Sequence, residues 1–193
     1  PRVSDAELRE HARAFFDPLV AKGADRIVLS DENMAGHCGH CTKRGVLYRW
    51  RRQLIKTFAT FIPLEVREVH IGVRNYADFF ASAYVEYLRS VSGSWFVSEE
   101  KMKQQVLENM PSWMNVLKTI QTFFPDARIH VWRHEDFRAL EQVVLGNLCG
   151  PDVDLAKLKA PKDTNKRPSA SGRAVEELLR LIYEQGADVA LRQ

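Results

Sequence analysis

The stretch "VHIGVRNYADFFASAYVEYLR", residues 69–89, combines the two signals that decide the fold of this chain. It opens within the run "EVREVHIGVR", residues 65–74, which predicts a strand. From residue 75 the apolar side chains recur at helical intervals instead, and this pattern predicts an amphipathic helix over 75–90. A strand that passes directly into a helix is the repeating unit of a parallel α/β sheet.

The segments on either side continue this alternation of strands and helices. The runs "RIVLS" (26–30) and "ARIHVWRHEDF" (127–137) predict two more strands, the first of them buried. Ser4 lies three residues before Glu7, which is a capping-box spacing, and it begins a first helix that Gly23 ends. Other helices are predicted at 46–60, 98–109, 111–124, 138–148 and 171–185, with a polar segment at 150–168. The fold class that follows is α/β with a central parallel sheet.

Composition limits the classes of protein to which the chain can belong. It has 193 residues, 45% of them hydrophobic, so we predict a single domain over 1–193. Non-specific nucleic-acid binders carry a dense band of basic residues, and a net charge of only +3 does not fit that class. No nucleic-acid partner is expected. No apolar run approaches the roughly 18 residues of a membrane span. The three cysteines, an odd number, favour a reducing compartment, so we predict a cytoplasmic protein.

The loop "DENMAGHCGHCTKRG", residues 31–45, places His37, Cys38, His40 and Cys41 within five positions. A structural zinc site normally needs a second pair of ligands further along the chain, and none is present. A thioredoxin-like C-x-x-C pair should open a helix straight after a strand, but "DENMAG" separates it from the predicted strand. A metal site and a redox pair therefore stay open as alternatives, and we interpret the stretch first as a polar loop.

Arg74 and Ser82 have the chemistry of a phosphate site. Arg74 ends the strand, and Ser82 lies eight residues on, on the polar face of the following helix. A guanidinium and a hydroxyl can hold one phosphate from two sides, and open α/β sheets bind nucleotides at the carboxyl ends of their strands. The alternative is that Arg74 points into solvent and Ser82 is an ordinary surface serine.

Four segments together resemble the family of sulfotransferases that use 3′-phosphoadenosine-5′-phosphosulfate (PAPS). Arg74, Ser82 and the "SAY" that Ser82 opens are similar to the 3′-phosphate motif of that family. The segment "IVLSDENM" resembles its strand ending in Ser-x-Glu beside the reacting centre, and "IHVWRHEDF" resembles a later strand followed by Tyr/His-Glu-Asp. The segment "NKRPSASGRAVEELL" is similar to the pattern that precedes the last helix of bacterial members. The resemblance spans residues 24–185.

The resemblance implies a P-loop NTPase-like, three-layer α/β/α fold with a central parallel sheet and a helical cover at 93–125. It implies transfer of a sulfuryl group from PAPS to a hydroxyl of a sugar, lipid or small-molecule acceptor, without a metal. One departure is that no Lys-x-Gly-Thr loop for the 5′-phosphosulfate occurs in the sequence. We expect the first strand and this loop to lie upstream, so that the chain is N-terminally incomplete and not competent for catalysis as it stands. The alternative is a non-catalytic nucleotide-binding or interaction domain of the same fold.

The resemblance also suggests roles for individual residues. Glu32, just past the predicted strand 26–30, is the expected general base, unless it is only a solvated loop carboxylate, and His37 and His40 are the alternative bases. Lys166 and Arg167, with Lys162, are expected to close over the nucleotide phosphates, unless they form only a solvated run of charge. Two further sets complete the predictions: Glu135 and Asp136 as structural anchors, and Trp95, Trp113 and Met114 as cover over the acceptor or as core.

Overall fold

The computed structural model describes residues 3–89, 95–157 and 170–187. Within these ranges the chain is mixed α/β and mostly helical, with a two-stranded parallel sheet. In chain order the α-helices and strands are α1 (Asp5–Val20), α2 (Cys38–Arg44), α3 (Arg51–Phe61), β1 (Glu68–Val73), α4 (Tyr76–Leu88), α5 (Glu99–Asn109), α6 (Trp113–Phe123), β2 (Arg128–Arg133), α7 (Phe137–Cys149) and α8 (Gly172–Gln185). Two short 3-10 helices, His134–Asp136 and Leu155–Lys157, flank α7.

The described residues divide into two compact units. Unit 1 comprises residues 3–36, 50–74 and 113–157, and it holds α1, α3, α6, α7 and both strands. Unit 2 comprises residues 37–49, 75–89, 95–112 and 170–187, and it holds α2, α4, α5 and α8. The prediction of one domain over 1–193, with a helical cover at 93–125, stays a prediction. A boundary between the two units falls within the predicted cover, between residues 112 and 113.

The sheet of unit 1 pairs β1 with β2 in parallel, as the alternation of predicted strands and helices indicated. Glu68 lies opposite Arg128, His70 opposite His130, and Gly72 opposite Trp132. The indole of Trp132 lies so close to Gly72 that an added Cβ would meet its Nε1 at 3.2 Å. The polar face of this small sheet therefore carries a glutamate, an arginine, two histidines and a tryptophan.

The prediction of a buried strand at 26–30 is wrong within the described structure. The segment forms no ladder with β1 or β2, and its side chains alternate between half-buried and exposed, with Val28 43% exposed. Its apolar, β-branched residues favour an extended backbone, but a strand also needs a neighbour for its N–H and C=O groups. Instead, Arg26 attaches the segment through its side chain, to the Glu68 carboxylate and to the carbonyl oxygen of Leu148.

Most of the predicted helices begin and end close to where local signals placed them, but α3 begins at Arg51 and not at residue 46, and β2 ends at Arg133 and not at residue 137. Ser4 and Glu7 form the predicted capping box at the start of α1, with the Ser4 N–H donating to Glu7 Oε2 at 2.7 Å. In unit 1, α3 packs against α6 and α1. In unit 2, α2 packs mainly against α4, whose Tyr84 and Tyr87 are almost fully buried. None of the described helices combines the length and apolar character that a membrane span requires.

Candidate functional site

Arg74 directly follows β1, at the carboxyl end of the strand, where it was predicted. Its carbonyl oxygen accepts a hydrogen bond of 2.7 Å from Trp113 Nε1, and both residues belong to unit 1. The Nε of Arg74 is buried, and no hydrogen-bond partner for it exists among the described residues. The guanidinium therefore keeps an unused buried donor at the strand end.

Ser82 is exposed on α4, as its place on the polar face predicted. The helix begins at the N-cap Asn75, whose side chain accepts from the Asp78 N–H at 2.9 Å and donates to its carboxylate at 2.6 Å. Asp78 thus adds a negative charge to the first turn of α4. Arg74 belongs to unit 1 and Ser82 to unit 2, with Asn75 next to Arg74 in the chain.

The three predicted bases are all exposed. Glu32 lies in a turn at 32–35 of unit 1, where the neighbouring Asp31 carboxylate accepts the Asn33 N–H at 2.7 Å. In unit 2, His37 is the N-cap of α2, and its Nδ1 accepts the Gly39 N–H at 3.0 Å. The His37 and His40 ring centroids are 6.4 Å apart. Each of the three side chains is therefore open to a molecule from solvent.

The interpretation of 31–45 as a polar loop is wrong for residues 38–44, which form α2. Cys38 begins this helix and Cys41 closes its first turn, although a turn and not a strand precedes it. Cys41 is fully buried, and its Sγ accepts the Tyr48 N–H at 3.2 Å. None of the three cysteines of the chain, all of them in described residues, forms a disulfide.

A cluster that sequence reasoning missed lies on the polar face of the sheet, where Glu68 and His70 of β1 meet His130 of β2. Glu68 Oε2 lies 3.1 Å from His70 Nε2 and 3.4 Å from His130 Nε2. The two imidazole rings stack with centroids 4.3 Å apart and planes 5° from parallel. Among residues 3–89, 95–157 and 170–187, this is the one group of three His, Cys, Asp or Glu side chains whose ligand atoms all lie within 4.8 Å of each other.

Burial and a neighbouring cation set the protonation of this cluster. The hydrogen bonds from Arg26 lower the pKa of Glu68 despite partial desolvation of its carboxyl, so the group is an anion at neutral pH. Burial lowers the pKa of His70, whose side chain is only 9% exposed, against the opposing effect of Glu68. The cluster thus presents a carboxylate beside a neutral His70 imidazole at neutral pH.

The other predicted residues are distributed over both units. Asp136 accepts from Arg133 Nε at 2.6 Å at the end of β2, which suits a structural anchor, and Glu135 is exposed beside it. Met114 is 56% exposed, and Trp95 is 64% exposed with Lys43 Nζ 4.7 Å from the centre of its indole ring. Lys162, Lys166 and Arg167 lie outside the described residues.

Comparison of the chain with models of known protein families, with curated proteins and with solved structures found no match in any of the three.

Proposed function

We propose that the chain belongs to a PAPS-dependent sulfotransferase with a P-loop NTPase-like fold, and that Arg74 binds the 3′-phosphate of the nucleotide. The observation that carries the proposal is the position of Arg74 after a parallel strand, with its Nε buried and without a hydrogen-bond partner among the described residues. A buried donor left unpaired costs about 1–3 kcal/mol, and more when the group is charged. A phosphate oxygen would satisfy it.

The surroundings of Arg74 support an anion at this strand end. Trp113 Nε1 donates a hydrogen bond to the Arg74 carbonyl oxygen, so a residue of unit 1 positions the backbone that carries the guanidinium. Crevices outside the carboxyl ends of parallel strands are the usual nucleotide sites of open α/β sheets. Arginine also suits a phosphate better than lysine does, since its planar fork offers two parallel N–H donors.

Ser82 is the proposed second ligand of the 3′-phosphate. Its hydroxyl lies on the exposed side of α4, so it is accessible to a ligand. The nearby Asp78 carboxylate makes the first turn of this helix less favourable for a second anionic group. We therefore assign the 3′-phosphate to the two side chains, with no contribution from the helix N-terminus.

The proposed reaction moves a sulfuryl group in line. The bond between sulfur and the 5′-phosphate oxygen of PAPS breaks, a bond from sulfur to the acceptor oxygen forms, and 3′,5′-bisphosphoadenosine leaves. Glu32 takes the proton of the acceptor hydroxyl, with His37 or His40 as alternative bases. The protein contributes position, donors for the sulfuryl oxygens and this base. The acceptor is a hydroxyl of a sugar, lipid or small molecule, and the exposure of Glu32 suits an acceptor that enters from solvent.

The test is a calorimetric titration of the chain with 3′,5′-bisphosphoadenosine and, separately, with adenosine 5′-phosphosulfate, which lacks the 3′-phosphate. We expect the bisphosphate to bind at least about tenfold more tightly, because one charge-assisted hydrogen bond contributes about 1.5–3 kcal/mol. Equal affinities would contradict recognition of the 3′-phosphate. An acceptor screen with labelled PAPS, on the protein that the complete gene encodes, then separates the two functions: transfer supports the enzyme, and binding without transfer supports the non-catalytic domain.

A further inference from the structure

We propose that Glu68, His70 and His130 bind a divalent transition-metal ion, and that Zn²⁺ is the ion their donor atoms fit best. Two imidazole nitrogens and one carboxylate oxygen are the ligand types of many zinc sites with three protein ligands and one open position. The site lies within unit 1 and goes beyond the proposed sulfuryl transfer, which needs no metal.

Strand geometry brings the three ligands together. Glu68 and His70 are two residues apart in β1, so both side chains project from the same face of the sheet. His130 is the direct partner of His70 in the parallel register, and paired residues of neighbouring strands share a face. Regular backbone therefore positions the ligands, without help from a flexible loop.

The distances suit a tetrahedral ion. With metal–ligand bonds of about 2.0–2.1 Å, neighbouring ligand atoms of a tetrahedron lie about 3.3 Å apart. Glu68 Oε2 is 3.1 Å from His70 Nε2 and 3.4 Å from His130 Nε2, so both of these edges are already close to that length. The stacked rings must turn so that their lone pairs converge, and rotation about the Cβ–Cγ bond of histidine is soft.

Each of the two histidines has one buried ring nitrogen without a hydrogen-bond partner among the described residues, and a metal ion could bind one of these nitrogens. His130 Nε2 is buried and has no hydrogen-bond partner among the described residues, although Glu68 Oε2 lies 3.4 Å away. A metal ion between the two Nε2 atoms would give this nitrogen a partner. His70 Nδ1 is also buried, and no described residue bonds to it, so the described structure does not give this ring the outer hydrogen bond that usually orients a ligating histidine. We therefore expect weaker binding than at a four-ligand structural zinc site.

Arg26 competes with a metal ion for the Glu68 carboxylate. Its Nη2 lies 3.2 Å from Glu68 Oε1, the oxygen away from the histidines, and its Nη1 lies 3.4 Å from Oε2. Nη1 also donates to the carbonyl oxygens of Asn147 and Leu148, so the guanidinium has acceptors besides Glu68. A carboxylate that keeps Arg26 on Oε1 can still give Oε2 to a metal ion. An open depression bordered by Arg67, Glu68 and Arg128 gives solvent a path to this end of the cluster.

The first experiment titrates Zn²⁺ and Co²⁺ into the purified chain after chelator treatment and removal of any histidine tag. We expect one equivalent of either ion to bind, and Zn²⁺ to raise the melting temperature, because all three ligands come from the folded sheet. Bound Co²⁺ should show the visible spectrum of a tetrahedral ion without a near-ultraviolet thiolate band. If neither ion binds, or if the spectrum shows a thiolate ligand, the proposal is wrong.

Variants identify the ligands. His130→Gln should weaken Co²⁺ binding by more than the roughly 10- to 100-fold that loss of an outer hydrogen bond costs. The exposed histidines provide matched controls, since His134→Gln, near the end of β2, and His40→Gln, in α2, should leave binding unchanged. His130→Cys should keep Co²⁺ and add a thiolate band, which no structural effect of the substitution would produce. Binding that survives in folded His130→Gln but disappears in His40→Gln would assign the metal to α2 and overturn the proposal.

Discussion

Gly45 packs against the backbone of α5 with no room for a side chain. It ends α2 in the left-handed conformation, with φ at 60°, and an added Cβ would lie 2.4 Å from the backbone carbon of Gln105. Gly45→Ala should therefore cost roughly 3 kcal/mol, part of it left-handed strain and the rest overlap with backbone that cannot move aside. For a chain of this size the melting temperature should fall by about 6–12 °C, measured by circular dichroism.

The control for this prediction is Gly23→Ala. Gly23 has a similar φ of 68°, but a Cβ there would meet no atom within 4 Å. Its substitution should show the left-handed strain alone, about 1–2 kcal/mol. Equal losses in the two variants would mean that α5 shifts away from Gly45 at little cost.

Substitution of Glu32 tests its proposed role as the general base. In the protein that the complete gene encodes, Glu32→Gln should cut turnover by a factor of about 10² to 10⁴, because the amide cannot accept the acceptor proton. Nucleotide affinity should hardly change, since the proposed phosphate ligands are Arg74 and Ser82. The measurement is a transfer assay with labelled PAPS, with His37→Gln and His40→Gln in parallel. Full turnover in Glu32→Gln would transfer the role to a histidine or remove it altogether.

At the scale of elements, α4 contains a group that should control stability in alkali. Burial raises the pKa of Tyr84 well above its usual value of about 10, and its hydroxyl donates to the Val97 carbonyl at 3.2 Å. Above pH 10 the unfolded chain releases this proton while the folded chain keeps it. Stability should therefore fall as pH rises, by up to about 1.4 kcal/mol per pH unit for this one group.

Tyr84→Phe tests this effect. Between pH 7 and 9 the variant should differ from the parent by a constant amount, the value of the lost hydrogen bond. Above pH 10 its free energy of unfolding, measured in urea, should fall less steeply than that of the parent. If the two curves stay parallel up to pH 11, the Tyr84 phenol ionises as easily in the folded chain as in the unfolded one.

Elements with local signals were predictable, and those that depend on distant partners were not. The capping box of Ser4 and Glu7 and the helical spacing after residue 75 lie within one segment, and both helices form where expected. The run at 26–30 has strand propensity but lacks a ladder partner among the described residues. Helix α2 was missed because its seven residues carry no apolar stripe, and its cap is a histidine, an unusual N-cap residue.

For the whole molecule, the parallel pairing of two strands was predicted, and the P-loop NTPase-like arrangement stays a proposal. Arg74 and Ser82 could be found because a strand end and a helix face are readable from spacing. The cluster of Glu68, His70 and His130 could not be found in this way, because its ligands lie sixty residues apart and meet only through the register of β1 and β2. The available signal was a histidine within each of two apolar strands, at "VHI" and "IHV".

Calorimetry on the Arg74→Ala variant is the decisive experiment for the proposal that Arg74 binds the 3′-phosphate of PAPS. Loss of one charge-assisted hydrogen bond should weaken binding of 3′,5′-bisphosphoadenosine by roughly 10- to 150-fold, and Ser82→Ala should weaken it less. The affinity for adenosine 5′-phosphosulfate, which has no 3′-phosphate, should hardly change in either variant. If Arg74→Ala weakened both nucleotides equally, Arg74 would instead support the fold or another part of the ligand, and the claim would be contradicted.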